Sequence, residues 1–243
     1  MDDLLPLDES LLAQPASQLL DAFGAGKASP GSGSAAAMMG LLAVKLIRTV
    51  CLKSLEKNLG HDIDAILRHI LGEIGQTEPA LRSLFDKDAR EFEEVVQRRK
   101  EGDASADPEV KAAYRRRAND LLEIATDNTF EIIDLCLPLI HHGVTVFQYG
   151  WKAVRGDSGA AISGAIAAVT SGLFIVNLNI KGLKDRNYAR NNIDRCAEQF
   201  SELQRRQVTA FSCITSLNAE VLISLGDEPP QQLSLKFPDE ADS

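Results

Sequence analysis

Along most of this chain the apolar residues return every three or four positions, the period of a helix that buries one face. Residues 15–24 (PASQLLDAFG) form a first short helix in this reading. From Ser34 to about Asn58, Ala, Met, Leu, Val and Ile continue with no breaker after Gly40, and Gly60 ends the stretch. Asp62 opens a helix to about Gly75, and residues 78–101 carry the next, with Leu81, Leu84, Phe85, Phe92, Val95 and Val96 on one stripe. After a polar loop at 101–109, a helical stretch runs from 108 to roughly 153, where Pro138 and Gly143 are expected to kink or split it. Helices at 158–183 and 186–225 complete the set. The segment GVTVFQYGW (143–151) alternates as a strand would, but it stands alone, and there are no hairpin dipeptides. The pattern predicts an all-α fold, an antiparallel multi-helix bundle. It predicts one helical domain over 15–225, a flexible acidic arm at 1–14 and a disordered tail at 226–243.

Two punctuated segments stand out. GAGKASPGSGS (24–34) is a Gly/Ser-rich turn, and VRGDSG (154–159) is a second turn in which Asp157 or Ser158 suits an N-cap. Between Ser158 and Ile180 no side chain is charged, a length that would reach across a bilayer. Its serines, Thr170, Asn177, Asn179 and glycines favour a central bundle helix buried on all sides, and no second segment matches it. The small residues let neighbouring helix axes come close.

Composition narrows the function. The chain has 243 residues, 44% hydrophobic and only 5% aromatic, so its core is aliphatic and suits close-packed helices. The net charge of −9 argues against a nucleic-acid binder, and an anionic ligand would need a local basic cluster. Cys51, Cys136, Cys196 and Cys213 have no CxxC spacing and read as reduced, buried thiols of a cytoplasmic protein. The start, MDDLLPLDES, has neither the basic residues nor the apolar run of a signal peptide. The histidines His61, His69, His141 and His142 lack zinc spacing, so no metal is expected.

One residue breaks the hydrophobic pattern in a chemically useful way. Asp88 falls inside the apolar stripe of 78–101, three residues after Phe85 and four before Phe92. A core-facing carboxylate is costly unless partnered, and burial raises its pKa into a range where it can hold or donate a proton. The structural alternative is a carboxylate that caps a neighbouring helix or pairs with a buried Arg. The turn Pro30-Gly31-Ser32-Gly33-Ser34 comes second, because small residues at a helix start admit a ligand and offer free N–H groups. It is neither a Walker loop nor a dinucleotide fingerprint. Asn177 and Asn179, late in the apolar helix, either tie helices together or read a ligand.

Together these pieces resemble the cyclodeaminase/cyclohydrolase family, which includes the C-terminal domain of formiminotransferase-cyclodeaminase and bacterial methenyltetrahydrofolate cyclohydrolases. The resemblance rests on LLDAFGAGKASPGSGSAAAMMGLLAV (19–44), on Asp86-Lys87-Asp88-Ala89-Arg90-Glu91-Phe92, and on RGDSGAAISGAIAAVTSGLFIVNLNIKGLKD (155–185). It covers about residues 15–215 and implies a homodimeric helical bundle in the cytoplasm that acts on a tetrahydrofolate derivative as substrate. It implies no tightly bound cofactor and no metal, nucleic-acid or membrane partner. The family's catalytic Asp falls on Asp88. Pro30, Gly31, Ser32, Gly33 and Ser34 become candidate substrate-binding residues, with Asp157 and Asn179 weaker ones. Arg99 or Lys100 become a basic rim for a polyglutamate tail. The sequence departs from the family at Ser32, at Lys45 and Arg48 in the first long helix, and at Asp127-Asn128-Thr129 where a Pro-containing break is usual. These departures leave an alternative: a catalytically diverged helical dimer that binds another ligand or a protein, with Ser32 or Lys45 filling the pocket.

Overall fold

The computed structural model describes residues 10–226, and among these there is no strand. A 3₁₀ turn at Leu11–Ala13 precedes six helices. These are α1 (Ala16–Gly24), α2 (Ser32–Leu55), α3 (His61–Ala104), α4 (Pro108–Tyr149), α5 (Arg155–Gly182) and α6 (Asn187–Leu225). The core lies where α2, α3, α4 and α5 meet, and α6 covers one side of α4 and α5. Its largest sealed side chains include Phe85, Phe130, Ile47, Leu67, Ile74 and Ile133. Phe23 of α1 packs edge-on against Phe85, ring centres 6.4 Å apart, which fastens the short first helix to α3.

The helices are longer than the sequence pattern predicts. The expected break between Gly75 and residue 78 is absent, and Pro138 does not split α4. Pro79 and Pro138 both lie on exposed positions, as do Gly75 and Asp134, whose carbonyls lose a helical donor to the two prolines. Water can satisfy those carbonyls, so the ring interrupts one bond without ending the helix. The alternating segment 143–149 is the last turns of α4. The second punctuated turn is shorter than read: a 3₁₀ turn at Lys152–Val154 leads directly into α5, so Asp157 lies in the first helical turn and Ser158 is buried, and neither is the N-cap.

Of the arm expected to be loose at 1–14, the described residues from Ser10 on are held in place. Ser10 donates a hydrogen bond of 2.8 Å to Asp86, and Leu11 and Leu12 pack against the core. Residues 1–9, and the tail beyond Gly226, lie outside the described residues.

Helix α5 is not buried on all sides. Gly143 and Gly172 let α4 and α5 approach until a Cβ on either glycine would meet Ile162 or Ile133 at about 2.7 and 2.5 Å. The opposite face is open, with Phe174 and Leu178 exposed by 69% and 66%. Nor is the segment alone in its apolar length. Helices α2, α4 and α6 also contain windows long and apolar enough to cross a membrane by length and composition.

Lys45 and Arg48 turn to α3, where they join Arg82 around Glu78, with Lys45 Nζ 2.6 Å from its carboxylate. These cations hold Glu78 below its usual pKa, the Lys45 hydrogen bond foremost. All four cysteines are buried and unpaired, and burial pushes the Cys51 and Cys136 thiols up to about 12. Phe85 is fully enclosed beside the start of α2. Phe85→Ala should lower unfolding free energy by roughly 3–5 kcal/mol, read as a shift in the urea midpoint at unchanged slope.

Candidate functional site

The site starts from an unfilled need. The first N–H groups of a helix have no partner within it, and those of α2 lie in the core because Gly33 and Ser34 are buried. Asp88 of α3 supplies the acceptor. Its Oδ2 takes hydrogen bonds from the Ser34 N–H at 2.6 Å and from the Ser34 hydroxyl at 2.8 Å. The contact is possible because residue 33 is glycine: a Cβ there would run into the Asp88 carboxylate. The structural alternative for Asp88, a cap on a neighbouring helix, is therefore what the geometry shows. It does not displace the chemical reading, because the same carboxylate reaches a cleft.

That cleft holds about 330 Å³. One wall is the bend, Gly31 to Gly33. A second is the α3 face carrying Asp88, Phe92 and Arg99, and a third is Leu122, Ala125 and Thr129 of α4. Ile175, Leu178, Asn179 and Gly182 of α5 close it. Each set has helical same-face spacing, which is why four separate segments can line one hollow. Asp88 is 5% exposed. Burial raises its pKa, while the two Ser34 hydrogen bonds pull the other way by favouring the ionised form. It thus combines a proton affinity above that of a free carboxylate with a fixed orientation.

The other sequence candidates divide. Gly31, Ser32, Gly33 and Asn179 line the cleft with Asp88. Pro30 is buried beneath the bend, and Ser34 faces Asp88 rather than the hollow. Asp157 is not part of this cleft: it sits at the other end of α5, 22 residues and about 33 Å of helix from Asn179. Asn177 is exposed and its amide donates to the Leu173 carbonyl of its own helix, so it neither ties helices together nor faces the cleft. Arg99 lines both the cleft and an adjoining groove of about 360 Å³ that also includes Lys111 and Arg115. Lys100 is exposed and lines neither. Lys45 points to Glu78, and Ser32 is exposed and lines a cleft that stays open, so neither fills the hollow as the diverged alternative requires.

Sequence reasoning missed Phe92 as a cleft residue and all of the α4 wall. It also missed two clusters that join residues far apart in the chain. Glu73 lies 3.3 Å from both His69 and His142. Asn128 donates to Glu91 close to Asp88. A larger hollow of about 410 Å³ lies beside α6, but its Arg205 and Arg206 are already paired with Glu202.

The raised proton affinity of Asp88 has a signed consequence for stability. A carboxyl whose folded pKa exceeds its unfolded value of about 3.9 contributes most below that pH and loses the contribution as pH rises through the folded pKa. Urea unfolding of wild type and Asp88→Asn should show the wild type losing stability relative to the variant as pH rises from below about 4. A constant difference between the two would contradict the burial argument.

Comparisons with known proteins agree with this architecture. A family model described as formiminotransferase-cyclodeaminase matches residues 15–198. The chain is 28% identical over 174 residues to the methenyltetrahydrofolate cyclohydrolase of Methylorubrum extorquens, covering 72% of this chain and 83% of that one. It is 24% identical over 185 residues to the formimidoyltransferase-cyclodeaminase of Gallus gallus, covering 74% of this chain and 33% of that longer protein. The solved structure of formiminotetrahydrofolate cyclodeaminase from Thermotoga maritima matches with a TM-score of 0.72 at 17% identity, over 85% of this chain and 98% of that one. That last likeness concerns the fold alone. The family match runs through the bend, Asp88 and Asn179, and the chain belongs to the formiminotransferase-cyclodeaminase family, whose relatives act on folate one-carbon units.

Proposed function

We propose that the chain is a folate one-carbon enzyme, a 5,10-methenyltetrahydrofolate cyclohydrolase, with Asp88 as the group that takes and returns the proton. The observation that carries this reading is a carboxylate, sealed from bulk water and fixed by Ser34, at the floor of an open cleft. In hydrolysis, water adds to the bridging carbon. The new C–O bond forms as one water proton passes to Asp88, giving a tetrahedral carbon that keeps the hydroxyl; one ring C–N bond then breaks as its nitrogen takes the proton back, and the hydroxyl proton leaves to water as the formyl C=O forms. A low-dielectric site strengthens the pull of the carboxylate on the cationic bridge. The M. extorquens relative, matched over most of its length, favours this reaction.

Formimidoyltetrahydrofolate cyclodeamination is the second reading, supported by the sequence likeness to the G. gallus formimidoyltransferase-cyclodeaminase. There the amine nitrogen outside the pterin ring attacks the carbon of the protonated formimino group, its proton goes to Asp88, and the proton is returned to the amino group that departs as ammonia. Both reactions use one proton shuttle at one tetrahedral centre. In either reading the bend and Asn179 line the pterin and one-carbon pocket, and the substrate needs no tightly bound cofactor. Arg99, with Lys111 and Arg115 in the adjoining groove, suits the carboxylates of a glutamate tail.

The bundle itself reads as antiparallel for α2 and α5. Ser54 near the end of α2 accepts from the Trp151 N–H just before α5, while the bend before α2 faces Asn179 near the end of α5. Self-association in a cytoplasmic setting belongs to the same reading. On α6, Ile193, Phe200, Phe211, Ile214, Val221 and Leu225 lie on one heptad face, each 48% to 71% exposed.

Absorbance at the methenyl chromophore tests the activity directly. Cyclohydrolase activity accelerates its loss over buffer, and cyclodeaminase activity accelerates its formation from the formimino compound. Asp88→Asn, which keeps an oxygen for the Ser34 N–H, should reduce kcat by at least about 100-fold with unchanged helix content by circular dichroism. No rate above buffer on either substrate would overturn the proposal. Phe211→Glu with Ile214→Glu should convert a dimer to monomer in sedimentation equilibrium, and a monomeric wild type would remove self-association.

A further inference from the structure

Asp88 has an acidic neighbour that the reaction scheme leaves unused. Glu91 follows it on α3 by three residues, one turn along the same side of the helix. Its carboxylate does not line the cleft. It lies in the seam between α3 and α4, where the amide of Asn128 donates to it. Asn128 is 8% exposed, and its chain neighbour Thr129 forms part of the cleft wall. The two carboxyl groups therefore occupy one corner of the molecule with different access. Asp88 meets the cleft and is sealed on its other side, whereas Glu91 is partly open to solvent.

Their surroundings also differ. From α2, Ser34 gives Asp88 a backbone and a hydroxyl donor. From α4, Asn128 gives Glu91 one amide donor, while Asp127 beside it is turned to Tyr188 of α6. From α3 itself, Lys87 and Arg90 favour the ionised form of Glu91, while its burial and the charge of Asp88 oppose it. From α5, Asn179 brings no charge to the cleft, and Arg99 of α3 is the cation lining it. Two carboxyl groups one helical turn apart on one side of a helix repel when both are ionised, which favours their ionising in sequence. The double donation from Ser34 favours the ionised form of Asp88 against its burial, and that charge raises the proton affinity of Glu91.

We propose that Asp88 and Glu91 act as one proton store, Asp88 facing the reacting atoms and Glu91, held by Asn128, exchanging with solvent. This rests on the folate reading for its reacting atoms, but the coupling itself does not. When the attacking group gives its proton to Asp88, the charge that kept Glu91 protonated vanishes. Glu91 can then release its own proton to water, and the pair keeps one negative charge throughout. Return of the proton from Asp88 to the leaving nitrogen reverses the exchange. Glu91 is thus a positioning residue for the proton on Asp88, not a group in contact with substrate.

Two measurements test this. Carboxyl ¹³C titration of the free protein needs no substrate. It should show coupled steps for residues 88 and 91, with the Glu91 midpoint falling in Asp88→Asn and rising in Asn128→Ala, which removes the donor to its ionised form. In steady-state kinetics, Glu91→Gln should lower kcat on the order of tenfold, less than a group transferring the proton itself. KM should stay within about twofold, and the basic limb of the pH profile should disappear because Gln cannot ionise. Glu91→Asp should restore the limb. A Glu91 titration unmoved by Asp88→Asn would overturn the proposal even if the enzyme is active. Coupled titration in a protein inactive on both folates would overturn the folate reading and leave the proton store standing. A Glu91→Gln enzyme with wild-type kcat and an unchanged profile would show that Glu91 plays no part in turnover.

Discussion

The hydrogen bonds from Ser34 to Asp88 are the constraint on which the site depends. They give the first turn of α2 an acceptor it could not find within its own helix, and they bring α2 against α3 at the point where the cleft opens. The approach is close enough to require glycine at position 33, so the small residues of the bend serve packing first and ligand access second. One carboxylate therefore answers a structural need and provides a chemical group. Its orientation is set before any substrate arrives, because the partner that caps it is backbone and cannot rotate away.

The same economy explains why the cleft has rigid walls. Helix α3 runs unbroken for 44 residues, so Asp88, Glu91, Phe92 and Arg99 share one rigid axis. The positions of the reacting group, its acidic neighbour and the basic rim are thus fixed relative to each other by helical geometry alone. Had Pro79 broken the helix, the segment bearing Asp88 would have lost its continuity with the portion anchored on Glu78 by Lys45 and Arg48. Those two cations bind α2 to α3 away from the cleft.

What the sequence disclosed follows from which interactions are local. A charged residue on an apolar stripe is visible within a dozen positions, so Asp88 was legible, and so were the helices on either side of the bend. The two continuous helices were divided on local signals, Gly75 in one and Pro138 with Gly143 in the other. Whether water can satisfy a carbonyl freed by a proline depends on tertiary burial, and Gly75 and Asp134 both stand at exposed positions. The residues around Asp157 suggest only an N-cap, and the resemblance alone placed it among binding residues; its distance from Asn179 is a property of the folded helix. Glu91 and Asn128 are separated by 37 residues, and nothing in either local pattern names the other as partner. Only the unusual Asp127-Asn128-Thr129 marked the place.

The net charge of −9 opposes the anionic folate proposed as substrate, yet distance resolves the conflict. At physiological ionic strength a charge is largely screened beyond about 8 Å, so the ligand responds to the side chains lining its groove and little to the protein's total. There the cations Arg98, Arg99, Lys111 and Arg115 outnumber Asp103 and Asp185. Arg98 is engaged by Glu94 and Glu101, and Lys111 by Asp103. Among the described residues lining the groove, Arg99 and Arg115 are left without an ion pair, and Arg99 borders the cleft that Asp88 floors. An acidic surface that discourages polyanions such as nucleic acid can thus coexist with a short basic path leading away from the reacting centre, because the two act over different lengths.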